Sequence, residues 1–157
     1  MIKLFSILLI SFSFTASKPV NKLEFYNAFK SNDKAVINKG IEQVKGGTTS
    51  NLTNAYLGAL TMKSAQFPST PKEKIAVFKE GKTLLEASIE KEPKNGEFRF
   101  LRIAMQEKSP KILHYNGNIE EDKKILLNNY ASLELLVKKV IKKYAEESKV
   151  LSPGDFK

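Results

Sequence analysis

From Lys18 onward the apolar residues recur at helical spacing, and no segment alternates with period two for long enough to form a strand. Such a chain buries its apolar faces by packing helix on helix, so the expected fold class is all-α. The stops and starts are explicit. A stripe of Leu23, Phe25, Tyr26 and Phe29 breaks at Ser31-Asn32-Asp33. Ala35, Val36, Ile37, Ile41 and Val44 come next and end at Gly46-Gly47, since glycine readily takes the conformation that closes a helix. Thr48-Thr49-Ser50 caps a third helix, from Leu52 to about Phe67, which Pro68 stops. Thr70-Pro71-Lys72-Glu73 combines a capping hydroxyl, Pro at the first helical position and a reciprocating Glu, and starts a helix that runs to Glu92.

Asn95-Gly96 opens a fifth helix carrying Phe98, Phe100, Leu101, Ile103, Ala104 and Met105, and ending at Lys108. Apolar groups on nearly every side place this helix at the centre of the fold. Ser109-Pro110 then caps a short helical turn, Lys111 to Tyr115, closed by Asn116-Gly117. One last long helix is expected from Asn118 to about Ser148, with Leu126, Leu133, Val137, Val140, Ile141 and Tyr144 inward. Its acidic start (Glu120, Glu121, Asp122) and basic end (Lys138, Lys139, Lys142, Lys143) suit the helix dipole. Leu151 to Lys157 reads as a frayed tail.

Residues 1–17 concern address rather than fold. Lys3, the apolar run Leu4 to Phe14 and the small residues Thr15-Ala16-Ser17 have the order of a cleaved signal peptide. The apolar run is about eleven residues, short of the roughly 18–20 that cross a bilayer, so no stable membrane insertion is expected after cleavage. The remainder, 18–157, is then a single exported helical domain, periplasmic or secreted, and a monomer is expected.

Composition removes several chemistries. With no Cys and only one His, His114, the chain has neither thiol nucleophile nor thiolate or multi-histidine metal site. His114 beside Glu120, Glu121 and Asp122 is explained by capping, so neither metal nor cofactor is expected. No nucleophile–base pair or workable carboxylate pair is visible, so no catalytic residue is assigned and the chain reads as a non-enzyme. The net charge is +9, from 26 basic against 17 acidic residues, yet only Arg99 and Arg102 are arginines. Nucleic-acid readers favour arginine, whereas these lysines are spread along the chain, so no nucleic-acid partner is expected.

Helices joined by short turns pair into antiparallel hairpins, here Leu23 to Val44, Leu52 to Glu92 and Gly96 to about Ser148, the plan of a short α-solenoid. Gly81, Leu85, Ser88, Ile89 and Pro93 fall at the spacings of the second helix of a tetratricopeptide repeat, and Leu57-Gly58 resembles that family's Leu-Gly pair. The resemblance covers about one repeat, with an insertion of about a dozen residues over Gln66 to Lys74. Glu97 to Arg102, Ser109-Pro110-Lys111 and Asn118 to Lys123 further resemble small exported helical proteins of Gram-negative bacteria that lack an assigned activity. The resemblance implies a degenerate tetratricopeptide-like fold and an exported compartment, and carries no catalytic residue with it.

The candidate site lies on the fifth helix. Asn95, Arg99, Arg102 and Gln106 have spacings of four, three and four, which line one narrow polar stripe on an otherwise apolar helix. On one reading the stripe walls a concave groove where guanidinium forks hold an acidic peptide or protein partner. On the other, Glu86, Glu90, Glu120, Glu121 or Asp122 pairs with the arginines internally. The leading functional expectation is a non-catalytic module binding a protein or peptide through a concave helical face. The alternative is a small anionic-ligand binding protein at the Arg99/Arg102 stripe, with an enzyme ranked last.

Overall fold

A computed structural model describes residues 18–156, and among these residues there are seven α-helices and no strand. The expected signal peptide, residues 1–17, and Lys157 lie outside the described residues. The elements are α1 (Lys22–Lys30), α2 (Lys34–Lys45), α3 (Asn51–Ser64), α4 (Pro71–Lys91), α5 (Gly96–Lys108), α6 (Ile119–Asn129) and α7 (Leu135–Ala145). Short 3₁₀ turns occupy Lys111–Leu113, Tyr130–Ser132 and Pro153–Asp155.

Most helix starts are explained by capping. Asn21 accepts from the N–H groups of Leu23 and Glu24, and Asp33 from that of Val36. Ser50 pairs with Thr53 and Thr70 with Glu73 in reciprocal boxes, so the orphan N–H groups of each first turn find partners.

Three sequence expectations change. The third helix ends at Ser64 rather than near Phe67, its last residues turning instead: Ala65 N–H bonds to Met62 O and Phe67 N–H to Ser64 O. The last long helix is two. The Ser132 hydroxyl donates to Asn129 O, the carbonyl a continuing helix would offer to the Leu133 N–H. Leu133 turns back to Tyr130 O at 3.1 Å, and α7 begins afresh two residues later. Leu126, Val137, Val140 and Ile141 are buried as expected, while Leu133 and Tyr144 are half-buried. The tail is anchored rather than frayed. Leu151 and Phe156 are each 2% exposed, and the Phe156 ring sits 4.7 Å from that of Tyr130. Asp155 accepts from the Ser152 N–H at 2.8 Å and pairs with Lys123 at 3.1 Å, so a turn-rich composition hides a capped turn between two apolar anchors.

The core is organised around α5, in which every residue from Gly96 to Gln106 is buried. It packs against α3, α4 and α6. The tightest helix pair is α3 with α4. A Cβ on Gly81 would lie 2.5 Å from both Gly58 O and Met62 N, and one on Gly58 would lie 2.7 Å from Gly81 O and Leu85 N. The two backbones therefore touch, an approach only glycine allows. At the other side Phe25 stacks on Tyr56 with ring centroids 3.6 Å apart, joining α1 to α3.

Candidate functional site

The arginine stripe runs along α5 into the interior. Asn95 is the cap of that helix, accepting from the Glu97 and Phe98 N–H groups and donating to Glu92 at 2.7 Å. Arg102 grips Asp122 with two donors, Nε to Oδ2 at 2.7 Å and Nη2 to Oδ1 at 2.6 Å, and its Nη1 reaches Glu86 Oε2 at 2.6 Å. Arg99 Nη1 donates to the same Asp122 Oδ1 at 2.7 Å, while its Nε and Nη2 share the Pro93 carbonyl at 3.0 and 2.6 Å. Glu121 adds a longer contact to Arg99 at 3.4 Å, and the Tyr115 hydroxyl closes the far side on Glu86 at 2.5 Å.

Both arginines are buried and Asp122 is 0% exposed, so the centre of the network is sealed between α4, α5 and α6, with Glu86 and Glu121 at its edge. Burial alone would pull the Arg102 guanidinium down, but Asp122 and then Glu86 outweigh it and hold the proton above the ordinary arginine value. The Tyr115 hydroxyl is pushed up by its own burial and then by Glu86. Of the acids weighed from sequence, Glu86, Glu121 and Asp122 meet the arginines; Glu90 and Glu120 lie exposed. The geometry is that of internal pairing. Gln106 continues the stripe, but its carboxamide is buried with neither Oε1 nor Nε2 bonded.

His114 is exposed, with φ 46° at the end of the 3₁₀ turn, and Asp122 is committed to the arginines. Among the described residues no group of three or more His, Asp and Glu is placed to hold a metal ion. A second buried polar cluster escaped the sequence reading. Glu97 accepts from Lys22 Nζ at 2.9 Å, from the Tyr26 hydroxyl at 2.9 Å and from the Tyr56 hydroxyl, and Lys22 also meets Glu134 at 2.7 Å. Burial and then Glu97 push both tyrosine hydroxyls up, so they remain donors. The cluster braces α1, α3, α5 and the approach to α7.

The concavity that remains lies elsewhere. A groove of about 840 Å³ opens at the end of the fold where α1, α3, α5 and α7 terminate and α4 begins. Apolar side chains including Met62, Phe78, Phe100, Ala104, Met105 and Val140 line it. Ile75 and Ile112 border it while 38% and 79% exposed. Five lysines contribute to its lining, Lys30, Lys63, Lys74, Lys108 and Lys143, against one carboxylate, Glu147.

Of these lysines, Lys143 is paired and Lys63 and Lys108 have no carboxylate bonded among the described residues. Lys143 pairs with Glu146 at 2.5 Å, Lys63 donates to Asn32 Oδ1 at 3.2 Å, and Lys108 lies 5.5 Å from the centroid of the Tyr144 ring. Burial and then the neighbouring charge of Lys108 lower the proton affinity of Lys63, a cation held beside a cation. The groove thus offers apolar contact ringed by positive charge. Its residues come from five α-helices and the Lys111–Leu113 turn, far apart in the chain, so no local pattern announces it. A lysine stands in the last turn of each of α1, α3, α5 and α7, but Lys45 and Lys91 end α2 and α4 in the same way, so that pattern does not mark the groove either.

No family model matches the chain, and neither a curated protein nor a solved structure matches it significantly. Among the described residues no helix is long and apolar enough to cross a membrane.

Proposed function

We propose that this is a non-catalytic binding protein whose binding face is the lysine-rimmed groove. The observation that carries the reading is an apolar concavity of about 840 Å³ flanked by two solvent-exposed isoleucines. That volume falls within the roughly 300–1,000 Å³ typical of ligand pockets. A continuous apolar patch with a polar border marks an interaction site more often than isolated exposed apolar residues do. Five lysines against Glu147 favour an occupant that is negatively charged where its apolar body ends.

The binding role expected from the sequence therefore moves from the arginine stripe to this groove. The guanidiniums of Arg99 and Arg102 are fully engaged by Asp122, Glu86, Glu121 and Pro93, which leaves anion attraction to the lysines. A monomer belongs to the same proposal, and sedimentation equilibrium of the purified protein tests it. Contacts within the pairs α1–α2, α3–α4 and α5–α6 support a short run of helical hairpins, and the Gly58–Gly81 crossing supports the tetratricopeptide-like kinship of the second pair. Export through cleavage after residue 17 belongs to the same proposal, and N-terminal sequencing of the protein from envelope and medium fractions tests it.

The groove is tested with a neutral naphthylamine dye whose emission rises in apolar surroundings. The expected result is one saturable site on the folded protein, lost in the double variant Ile75→Glu, Ile112→Glu; with these side chains 38% and 79% exposed, a thermal melt of the variant checks that the fold is kept. Equal dye binding by parent and variant would overturn the assignment of the groove.

A further inference from the structure

The groove's lining discriminates between kinds of occupant. A peptide laid in extended form brings an N–H and a C=O per residue, and each needs a partner once buried. The groove has little to offer them. Of its uncharged polar side chains, Ser109 is engaged with Met105 O and Tyr144 with Glu107, while Asn32 and Gln66 each use one end of the amide, on Lys63 Nζ and Lys63 O. The ends of α1, α3, α5 and α7 leave carbonyls that accept from a peptide N–H, but their own N–H groups are spent within the helices, so the carbonyls of a peptide would find few backbone donors. An acyl chain makes no such demand, and Met62 and Met105 give it a floor that adapts in shape.

The charge pattern settles which end such a chain would carry. A lysine in the last turn of a helix is accounted for by the negative end of the dipole, which covers Lys30, Lys63, Lys108 and Lys143 individually. Lys74 sits in the first turn of α4, where the dipole disfavours a cation, and still lines the groove. Lys63 and Lys108 are neighbours with no carboxylate bonded to either among the described residues. A surplus of this kind beside an apolar floor is complementary to an anion.

Resting on the binding role proposed above, the geometry points to a long-chain carboxylate as the occupant, its acyl chain along Met62, Phe78 and Met105 and its carboxylate between Lys63 and Lys108. The groove binds the chain by apolar contact and selects the head by charge. Nothing in the lining activates the carboxylate, so the ligand is held and released unchanged.

Isothermal titration of the purified protein with dodecanoate, below its micelle concentration, tests this against dodecyl maltoside and dodecyltrimethylammonium. Dodecanoate is expected to bind about tenfold more tightly than the neutral amphiphile, and the cationic one more weakly than either. The variant Lys63→Gln, Lys108→Gln, altered only at half-buried or exposed positions, keeps the fold and loses that tenfold preference while keeping the neutral amphiphile's affinity. Equal affinity for all three amphiphiles, or an unchanged preference in the variant, overturns the carboxylate assignment while leaving the groove a binding site. Displacement of the naphthylamine dye by an acidic amphipathic helical peptide but not by dodecanoate also overturns it, in favour of a peptide. Failure of the dye itself to bind removes the binding role and this inference together.

Discussion

Replacing Asp122 by Asn removes one charge with almost no change of shape, and the contacts it breaks set the cost. Asp122 receives three hydrogen bonds, two from Arg102 and one from Arg99, at 2.6–2.7 Å, and is wholly buried. Hydrogen bonds to charged groups are worth about 1.5–3 kcal/mol each, so the gross loss is an upper bound that neighbouring bonds do not reach additively. The direct analogy, removal of one partner from a buried ion pair, costs about 3–5 kcal/mol because the other partner stays buried and uncompensated. Here two guanidiniums are left with Glu86 and with Glu121, which is largely in solvent, and the new amide can turn an N–H towards donors. Against a total stability of about 5–15 kcal/mol this is a large fraction. Urea unfolding followed by far-ultraviolet circular dichroism at pH 7 should lose about 3–5 kcal/mol with an unchanged slope, and the melting temperature should fall by on the order of 10 °C. The triple variant Arg99→Met, Arg102→Met, Asp122→Leu should recover much of the loss, since well-packed apolar residues often replace a buried ionic group at little net cost. A loss below about 1 kcal/mol in Asp122→Asn would refute the claim that the stripe is a sealed structural network.

Other perturbations test the rest of the framework. Gly81→Ala forces a Cβ to within 2.5 Å of Gly58 O and Met62 N, so α3 and α4 must separate; the expected cost is at least about 1–3 kcal/mol in the same denaturation assay. Truncation after Val150 removes Leu151 and Phe156, each 2% exposed, and should cost about 3–6 kcal/mol, where a truly frayed tail would cost nothing measurable. Gln106→Met replaces a buried carboxamide without partners by an apolar group of similar size and should be neutral or stabilising, read from its denaturation midpoint. Burial would raise the Glu107 carboxyl, but the Lys149 N–H and the Tyr144 and Ser148 hydroxyls outweigh it and hold it below the usual carboxylate value. The unfolded chain then binds the proton more readily, so this contribution is complete above the ordinary glutamate pKa and lost as pH falls through the lower folded value; Glu107→Gln should flatten the acid limb of the stability–pH curve.

The fold was legible where one local rule decided it. Thr70-Pro71-Lys72-Glu73 contains its own hydrogen-bond solution, and α4 begins at Pro71 as that motif requires. The all-round apolar character of α5 likewise places it in the core irrespective of its neighbours. The break at Tyr130–Ser132 was hidden because Leu126, Leu133, Val137 and Val140 keep helical phase across it, while the decision rests on one hydroxyl, Ser132, taking a carbonyl. Nothing local marks Glu97, because Tyr26, Tyr56 and Lys22 reach it from two other helices. In the arginine stripe the residues were visible and their surroundings were not: spacing places Arg99 and Arg102 on one face of α5, but only packing puts Asp122 of α6 and Glu86 of α4 opposite them.

The groove arises from the same arithmetic of alternating helices. Because α1, α3, α5 and α7 end on one side, four negative dipole ends of about half a charge each converge there, and four last-turn lysines answer them. Four unit charges over-neutralise about two, Glu147 removes one more, and Lys74 from the start of α4 restores it. Lys143 is further offset by Glu146 and the positive end of α4 adds about half a charge, leaving a residual of about one to two positive charges. Lys45 and Lys91 end α2 and α4 with the same excess, so what distinguishes the rim is Lys63 with the charge of Lys108 beside it. The excess is small, so its reach is set by the Debye length, about 8 Å at physiological salt. It acts on an anion already seated in the groove rather than steering one from afar. Apolar contact therefore governs whether the groove is filled, and the lysines govern which end of the occupant faces them.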